Sequence, residues 1–182
     1  MGPAPRTSSA AGGVRRRCGR RQSGLSSGEV DATEENEVVL DHPPSGDLLS
    51  VVDAGGVEAL VRVHDQVFGG AHAAMGRGVL AGLTQQPRPV EAVVAMTGST
   101  AVAAGRVNFH AGTDFASLWG GGTIPTWRGR GVFRSLVSHR AAAARERGFR
   151  YLQVDAWKAS KPILQRLGFI ELATTTPYKF PV

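Results

Sequence analysis

The stretch from Ser117 to Gly148 reads SLWGGGTIPTWRGRGVFRSLVSHRAAAARERG and constrains the fold more than any other part of the chain. An apolar run, Phe115 to Thr123, gives way to a proline and a glycine-arginine turn, and then to an amphipathic pattern that closes at Gly148. The order is strand, loop, helix. Gly120, Gly121 and Gly122 fall inside the strand, where consecutive glycines weaken pairing and mark a bulge or a backbone that something approaches closely. In the loop, Gly129 and Gly131 let the main chain pass near a ligand, and the first N–H groups of the helix have no intrahelical acceptor. Such a turn suits a diphosphate, to which Arg128 and Arg130 would add forked, permanently charged donors. A Rossmann fingerprint would need glycine at Arg134, and a P-loop would need Gly-Lys followed by Ser or Thr; neither is present.

The pattern Thr123-x-Pro125-x-x-Arg128-Gly129-x-Gly131 resembles the acetyl-CoA-binding motif of the Gcn5-related N-acetyltransferase (GNAT) family. The likeness runs from roughly Leu48 to Val182 and includes SKPILQRLGF, Ser160 to Phe169, which is similar to that family's last helix and its Gly-Phe entry into the next strand. The resemblance implies an α/β fold, a mixed and mostly antiparallel sheet with a splayed central parallel strand pair and flanking helices. It also implies acetyl-CoA as co-substrate, no metal, and transfer of an acetyl or short acyl group to an amine of a small molecule or a protein. Carried over by position, Thr123 and Ile124 would offer backbone groups to the pantetheine amides, Arg128, Gly129, Arg130, Gly131, Val132 and Phe133 would hold the diphosphate, and Ser160 would add a hydroxyl. The segment after the first helix would border the acceptor.

Several positions depart from the family. Phe133 stands where Gly or Ala is usual, so its ring must point to the core. Trp119 and Gly120 occupy the positions of the usual carboxylate, Leu164 that of the usual tyrosine, and Trp157 that of the usual asparagine. A thiol leaving group with a pKa of about 8.5 departs without full protonation, so orientation and oxyanion donors can supply most of the effect. Tyr178 is the catalytic candidate, on a terminal segment expected beside the cleft; His64, His110 and Glu91 are weaker candidates for proton handling. The same departures support a competing reading, a non-catalytic acyl-CoA-binding regulatory module.

Charge is unevenly placed. Residues 1–28 hold six arginines and no acid, which leaves 15 basic and 15 acidic side chains in the rest of the 182-residue chain. The net charge of +6 therefore belongs to the tail and says nothing of a basic groove on the body; nucleic-acid binding through the arginine tail is a third and less favoured reading. Three segments are expected: a disordered basic tail at 1–28, an acidic linker at 29–46, and the acyl-CoA-binding domain at 47–182. The tail's Arg, Ser and Ala content resembles an organellar transit peptide, while a disordered extension or an over-long start are the simpler readings. The single cysteine, Cys18, cannot form an intrachain disulfide, and no apolar run reaches membrane-spanning length. A cytoplasmic protein without membrane contact is expected, and a homodimer is compatible with everything read so far.

Periodicity places a buried strand at Leu48 to Val52, a helix carrying Val57, Leu60, Val61, His64, Val67 and Phe68, and a weaker glycine-rich helix from Ala71 to Gln85. Val38 to Leu40 reads as an edge strand. Val90 to Met96 and Ala101 to His110 form a hairpin around Gly98 and Ser99, and Tyr151 to Ala156 is a strand parallel to the glycine-bearing one. Ser160 caps a short helix, and Phe169 to Ala173 and Pro177 to Val182 complete the strands.

Overall fold

The computed structural model describes residues 28–31, 47–176 and 178. Its elements in chain order are β1 (Gly28–Asp31), β2 (Asp47–Ser50), α1 (Ala54–Phe68), α2 (Ala73–Leu83), β3 (Val90–Thr97), β4 (Thr100–Phe109), β5 (Phe115–Thr123), α3 (Val132–Glu146), β6 (Tyr151–Val154) and α4 (Lys161–Arg166). The strands form one sheet in the order β1-β6-β5-β4-β3-β2. Every neighbouring pair is antiparallel except β5 and β6, which are joined through α3 and run parallel. Their pairing begins at Phe115 with Tyr151 and stops at Leu118 with Val154, although β5 continues to Thr123. The two central strands therefore part in the middle of the sheet, as the resemblance implies.

Alternation along the strands explains the layers. Ala92 and Val94 of β3 pack with Leu60 and Val63 of α1 and Val79 and Leu83 of α2, while Val93 and Ala95 pack with Val132 and Leu136 of α3. Successive side chains point to opposite faces, so α1 and α2 cover one face and α3 the other. Helix α1 starts where Asp53 Oδ1 accepts the Gly56 N–H at 2.8 Å, an N-cap that satisfies one orphan donor. Helix α2 forms despite its glycines because two of them are contact points. A Cβ on Gly76 would lie 2.6 Å from Val61, and one on Gly82 would lie 2.5 Å from Val90. Helix α3 buries Leu136, Val137, Arg140 and Ala144 on one stripe and ends at Gly148, φ 82°, as its pattern predicts.

Three expectations need correction. Leu48 to Val52 is not a buried strand: β2 lies at the sheet edge with Leu49 exposed, and among the described residues it pairs only with β3. A short apolar run cannot by itself distinguish an edge from a centre. Phe169 to Ala173 does not form a strand beyond an isolated bridge at Ile170; Phe169 enters the core while Ile170 and Leu172 are exposed. Ser160 precedes α4 but does not cap it with its side chain, because Ser160 Oγ donates back to the Trp157 carbonyl at 3.1 Å. At the other sheet edge, β1 pairs antiparallel with β6 from residues at the junction of tail and linker. The expected strand at Val38 to Leu40 lies outside the described residues, as do most of the tail, most of the linker, and Pro177 and residues 179–182.

Leu136 is fully buried under the centre of the sheet. Leu136→Ala should lower unfolding free energy by about 2 to 5 kcal/mol, seen as a shifted urea midpoint with an unchanged slope.

Candidate functional site

At the point where β5 leaves β6, the three glycines form the floor of a cleft. The register between β4 and β5 shifts between Ala104 and Arg106, so Gly120 and Gly121 bulge opposite Gly105. Gly120 has φ 56°, a left-handed conformation that favours glycine. Side chains press on the bulge from both faces. From the α1 side, a Cβ on Gly120 would lie 2.3 Å from His64 Cε1, and one on Gly122 would lie 2.7 Å from Val67 and 3.1 Å from Phe68. From the α3 side, a Cβ on Gly121 would lie 3.0 Å from Arg140 Nη2 and 3.2 Å from Phe133. The close approach inferred from sequence is thus made in part by the protein's own side chains.

Arg140 is 3% exposed, and no carboxylate pairs with it among the described residues. Its Nε donates to the Leu136 carbonyl at 2.8 Å and its Nη1 to the Arg106 and Trp119 carbonyls at 3.2 and 3.5 Å. Burial, and secondarily the charge of Arg106, hold its pKa down to about 10, which still leaves it charged at neutral pH. Burial likewise lowers Arg106, whose guanidinium lies 6.0 Å from the Trp119 ring. Two cations therefore sit beside the bulge.

The loop beyond β5 continues this cleft. Ile124 N–H donates to the Val102 carbonyl at 2.9 Å and its carbonyl accepts from Trp127 N–H at 3.0 Å, so both groups already have a partner. Antiparallel alternation then turns the backbone of Thr123 toward the opposite edge, the one β6 has left. There Arg128 Nε donates to the Thr123 carbonyl at 3.1 Å. Thr123 Oγ1 is buried without a hydrogen-bond partner. Arg130 stacks on Trp127, Cζ 4.6 Å from the ring, which holds an exposed guanidinium over the turn. Gly129 and Gly131 adopt φ 76° and 79°, and Gly131 is the N-cap of α3 with no side-chain cap. The N–H groups of Val132, Phe133 and Arg134 thus head a 15-residue helix without an intrahelical acceptor or a side-chain cap. The Phe133 ring packs against the core, as its size requires. An uncapped helix start with two exposed arginines beside it fits a diphosphate; the described residues include no group of three His, Cys, Asp or Glu that could hold a metal.

The other candidates lie apart from the bulge or are already engaged. Glu91 is paired with Arg147, and His110 Nε2 shares Ser117 Oγ with the Trp119 indole N–H. Leu164 is a core residue. Tyr178 is 80% exposed and makes no hydrogen bond among the described residues. Sequence reading missed the aromatic group that roofs the α1 side. Phe68 lies 5.3 Å from His64, 6.2 Å from His72 and 6.4 Å from Trp157, ring centre to ring centre. Nothing in the periodicity marks His72, which sits past the glycines that end α1; the signal was an acid and a histidine on either side of a turn, Asp65 and His72.

A family model described as acetyltransferase (GNAT) family matches residues 63–169. Similar solved structures include an aminoglycoside N-acetyltransferase AAC(6')-Iy in complex with CoA, 20% identical with a TM-score of 0.61, over 79% of this chain and 100% of that one. The aminoglycoside 6'-N-acetyltransferase AAC(6')-Ih from Acinetobacter baumannii is 18% identical with a TM-score of 0.60, over 75% and 98%. A transcriptional regulator from Bacillus halodurans C-125 is 20% identical with a TM-score of 0.62, over 74% and 99%. At these identities the likeness is one of fold. No curated protein is close enough in sequence to be matched.

His64 gives this site a pH signature. It is 2% exposed with Nε2 unpartnered, and burial, then the charge of Arg106, lower its pKa from 6.5 to about 4. The unfolded chain binds the proton more readily, so His64 contributes its full stability above pH 6.5 and loses it as pH falls toward 4. The contribution is on the order of 3 kcal/mol. His64→Phe should flatten the fall of Tm between pH 6.5 and 4 relative to the parent chain; an unchanged slope would show that the imidazole is not buried as a neutral group.

Proposed function

We propose, from the premise that the chain belongs to the acetyltransferase (GNAT) family, that it acetylates the primary amine of a small molecule in the cleft above the glycine bulge. Membership makes it an acetyl-CoA-dependent N-acetyltransferase; the placement of both substrates is our reading of the cleft. The observation that carries it is the parting of β5 from β6 at Leu118 and Val154, with the uncapped start of α3 one short loop away.

In this reading the N–H groups of Val132, Phe133 and Arg134 receive the diphosphate together with Arg130 and the Nη groups of Arg128. Gly129 and Gly131 keep the loop close to it. The pantetheine arm follows the open edge of β5 past Thr123, whose N–H faces the amides, rather than past Ile124, whose backbone groups already have partners. The thioester carbonyl then lies at Gly120 to Gly122, beside Arg140 and Arg106. A fixed positive charge in a dry setting stabilises the negative charge that develops on the carbonyl oxygen and the departing sulfur, which lessens the need for the acid missing at Leu164. Ser160, whose hydroxyl is bonded to Trp157, orients the loop after β6. Tyr178 is the proposed proton source for the departing thiolate.

The small-molecule acceptor is supported by the mouth between Phe68 and Trp157 and by neighbours whose acceptors are aminoglycosides. Thiol release from acetyl-CoA, measured with kanamycin, spermidine and a lysine-containing peptide, tests it. Turnover with the peptide alone would overturn the small-molecule reading.

Arg130→Ala should weaken acetyl-CoA by roughly 10- to 150-fold, the loss of one charge-assisted contact of about 1.5 to 3 kcal/mol, and leave S-acetylpantetheine nearly unaffected. Arg128→Ala should weaken both, because it also removes the brace on Thr123. Calorimetric titration of each ligand distinguishes the two patterns.

A further inference from the structure

Asp65 and His72 form an ordered acid-histidine pair on the α1 side of the bulge. Gly69 and Gly70, φ 70° and 84°, end α1 and turn the chain back so that His72 returns to Asp65. One carboxylate oxygen, Asp65 Oδ1, accepts both the His72 backbone N–H at 2.9 Å and the ring Nδ1 at 2.8 Å. A carboxylate only accepts, so Nδ1 carries the hydrogen and the neutral ring leaves Nε2 bare, on the side turned away from Asp65. These hydrogen bonds from His72 hold the Asp65 carboxyl below its ordinary range, so it stays ionised.

The ring is partly open to solvent. Its side chain is 28% exposed, unlike that of His64. It stands edge-on to His64, centroids 5.6 Å apart, and His64 in turn abuts Gly120. Phe68, which abuts Gly122, is its other neighbour. One layer of side chains thus separates His72 from the bulge. The titratable and charged groups facing it are Asp65 and His64 of α1, with Arg106 of β4 beyond His64.

We propose that His72, oriented by Asp65, is the general base that takes a proton from the acceptor amine through bridging water. The inference rests on the thioester lying at Gly120 to Gly122. An amine arrives as an ammonium ion and gives one proton to Nε2, forming an imidazolium whose Nδ1–H still faces the ionised Asp65. The freed nitrogen pair attacks the thioester carbon, the C–S bond breaks with its electron pair on sulfur, and the nitrogen loses its second proton to solvent or to the thiolate. The imidazolium returns its proton to solvent. The products are the amide, the free thiol and one proton, which balances the ammonium and thioester consumed. A purely structural pair, clamping the turn into α2, would have the same hydrogen bonds but no effect on proton transfer.

His72→Asn separates the two, since its amide can still donate to Asp65 but offers no basic nitrogen. With kanamycin or spermidine as acceptor, kcat/KM at neutral pH should fall by about 100-fold or more, with Tm and acetyl-CoA affinity unchanged. The deficit should shrink as pH rises and the amine deprotonates by itself, and it should nearly vanish with hydroxylamine, which is unprotonated at neutral pH. Asp65→Asn should give a smaller loss with the same dependence on the amine, because it frees the ring to adopt the wrong tautomer. A kcat/KM within threefold of the parent, a deficit equal for all amines and at every pH, or a loss that follows a fall in Tm would each overturn the assignment. The S-acetylpantetheine affinity of Arg128→Ala, which loses the brace on Thr123, reports separately on where the thioester arm lies.

Discussion

Arg140 is a cation placed where no carboxylate answers it among the described residues, and the shape of the cleft depends on how it is satisfied. Its guanidinium donates to the Leu136, Arg106 and Trp119 carbonyls, which lie on α3, β4 and β5. Holding a charge among backbone dipoles is costly unless the geometry is good, and removing the charge would leave those carbonyls short of donors. Gly105 and Gly121 leave the room it needs, since a Cβ on either would lie within 3.0 Å of it. The bulge, the buried charge and the parting of the strands therefore belong together.

Order within this region passes from packing to chemistry in a short distance. Gly105 and Gly121 admit Arg140 from one face, their neighbours Gly120 and Gly122 admit His64 and Phe68 from the other, and Phe68 reaches Trp157 across the mouth. A dry, positively charged floor meets a half-open aromatic rim. Acetyl transfer asks for that contrast, because negative charge develops at the carbonyl while the amine must arrive from water.

Legibility in the sequence was highest where a residue type admits few conformations. Glycines at 120–122, 129 and 131, and the stripe of α3 that includes Arg140, carried the bulge, the anion loop and the buried face. It was lowest where tertiary context decides. The run at Leu48 has the composition of a buried strand and lies at an edge; Phe169 to Ala173 has that of a strand and forms no ladder beyond its bridge among the described residues. Backbone roles were legible only to within one residue, since whether Thr123 or Ile124 faces the cleft depends on the ladder register. His72 was missed because a pair joined across a turn has no period; only the closed distance to Asp65 reveals it.

The parallel seam between β5 and β6 has a mechanical meaning. It spans four residue pairs, whereas β3 and β4 are registered along nearly their whole length. On one side of it stands a stiff antiparallel block, β2 to β5; on the other, β6 is tied back mainly through α3 and the core around Phe169 and Leu164. A short seam next to a gap behaves as a flexure, with its pivot near Leu118 and its free end at the mouth. Small rotations there widen or narrow the slot without breaking a hydrogen-bond ladder, so the slot's width is governed by how α3 sits on the sheet. Bulk added under α3 would thus be felt at the opening as geometry, even where it leaves the core well filled.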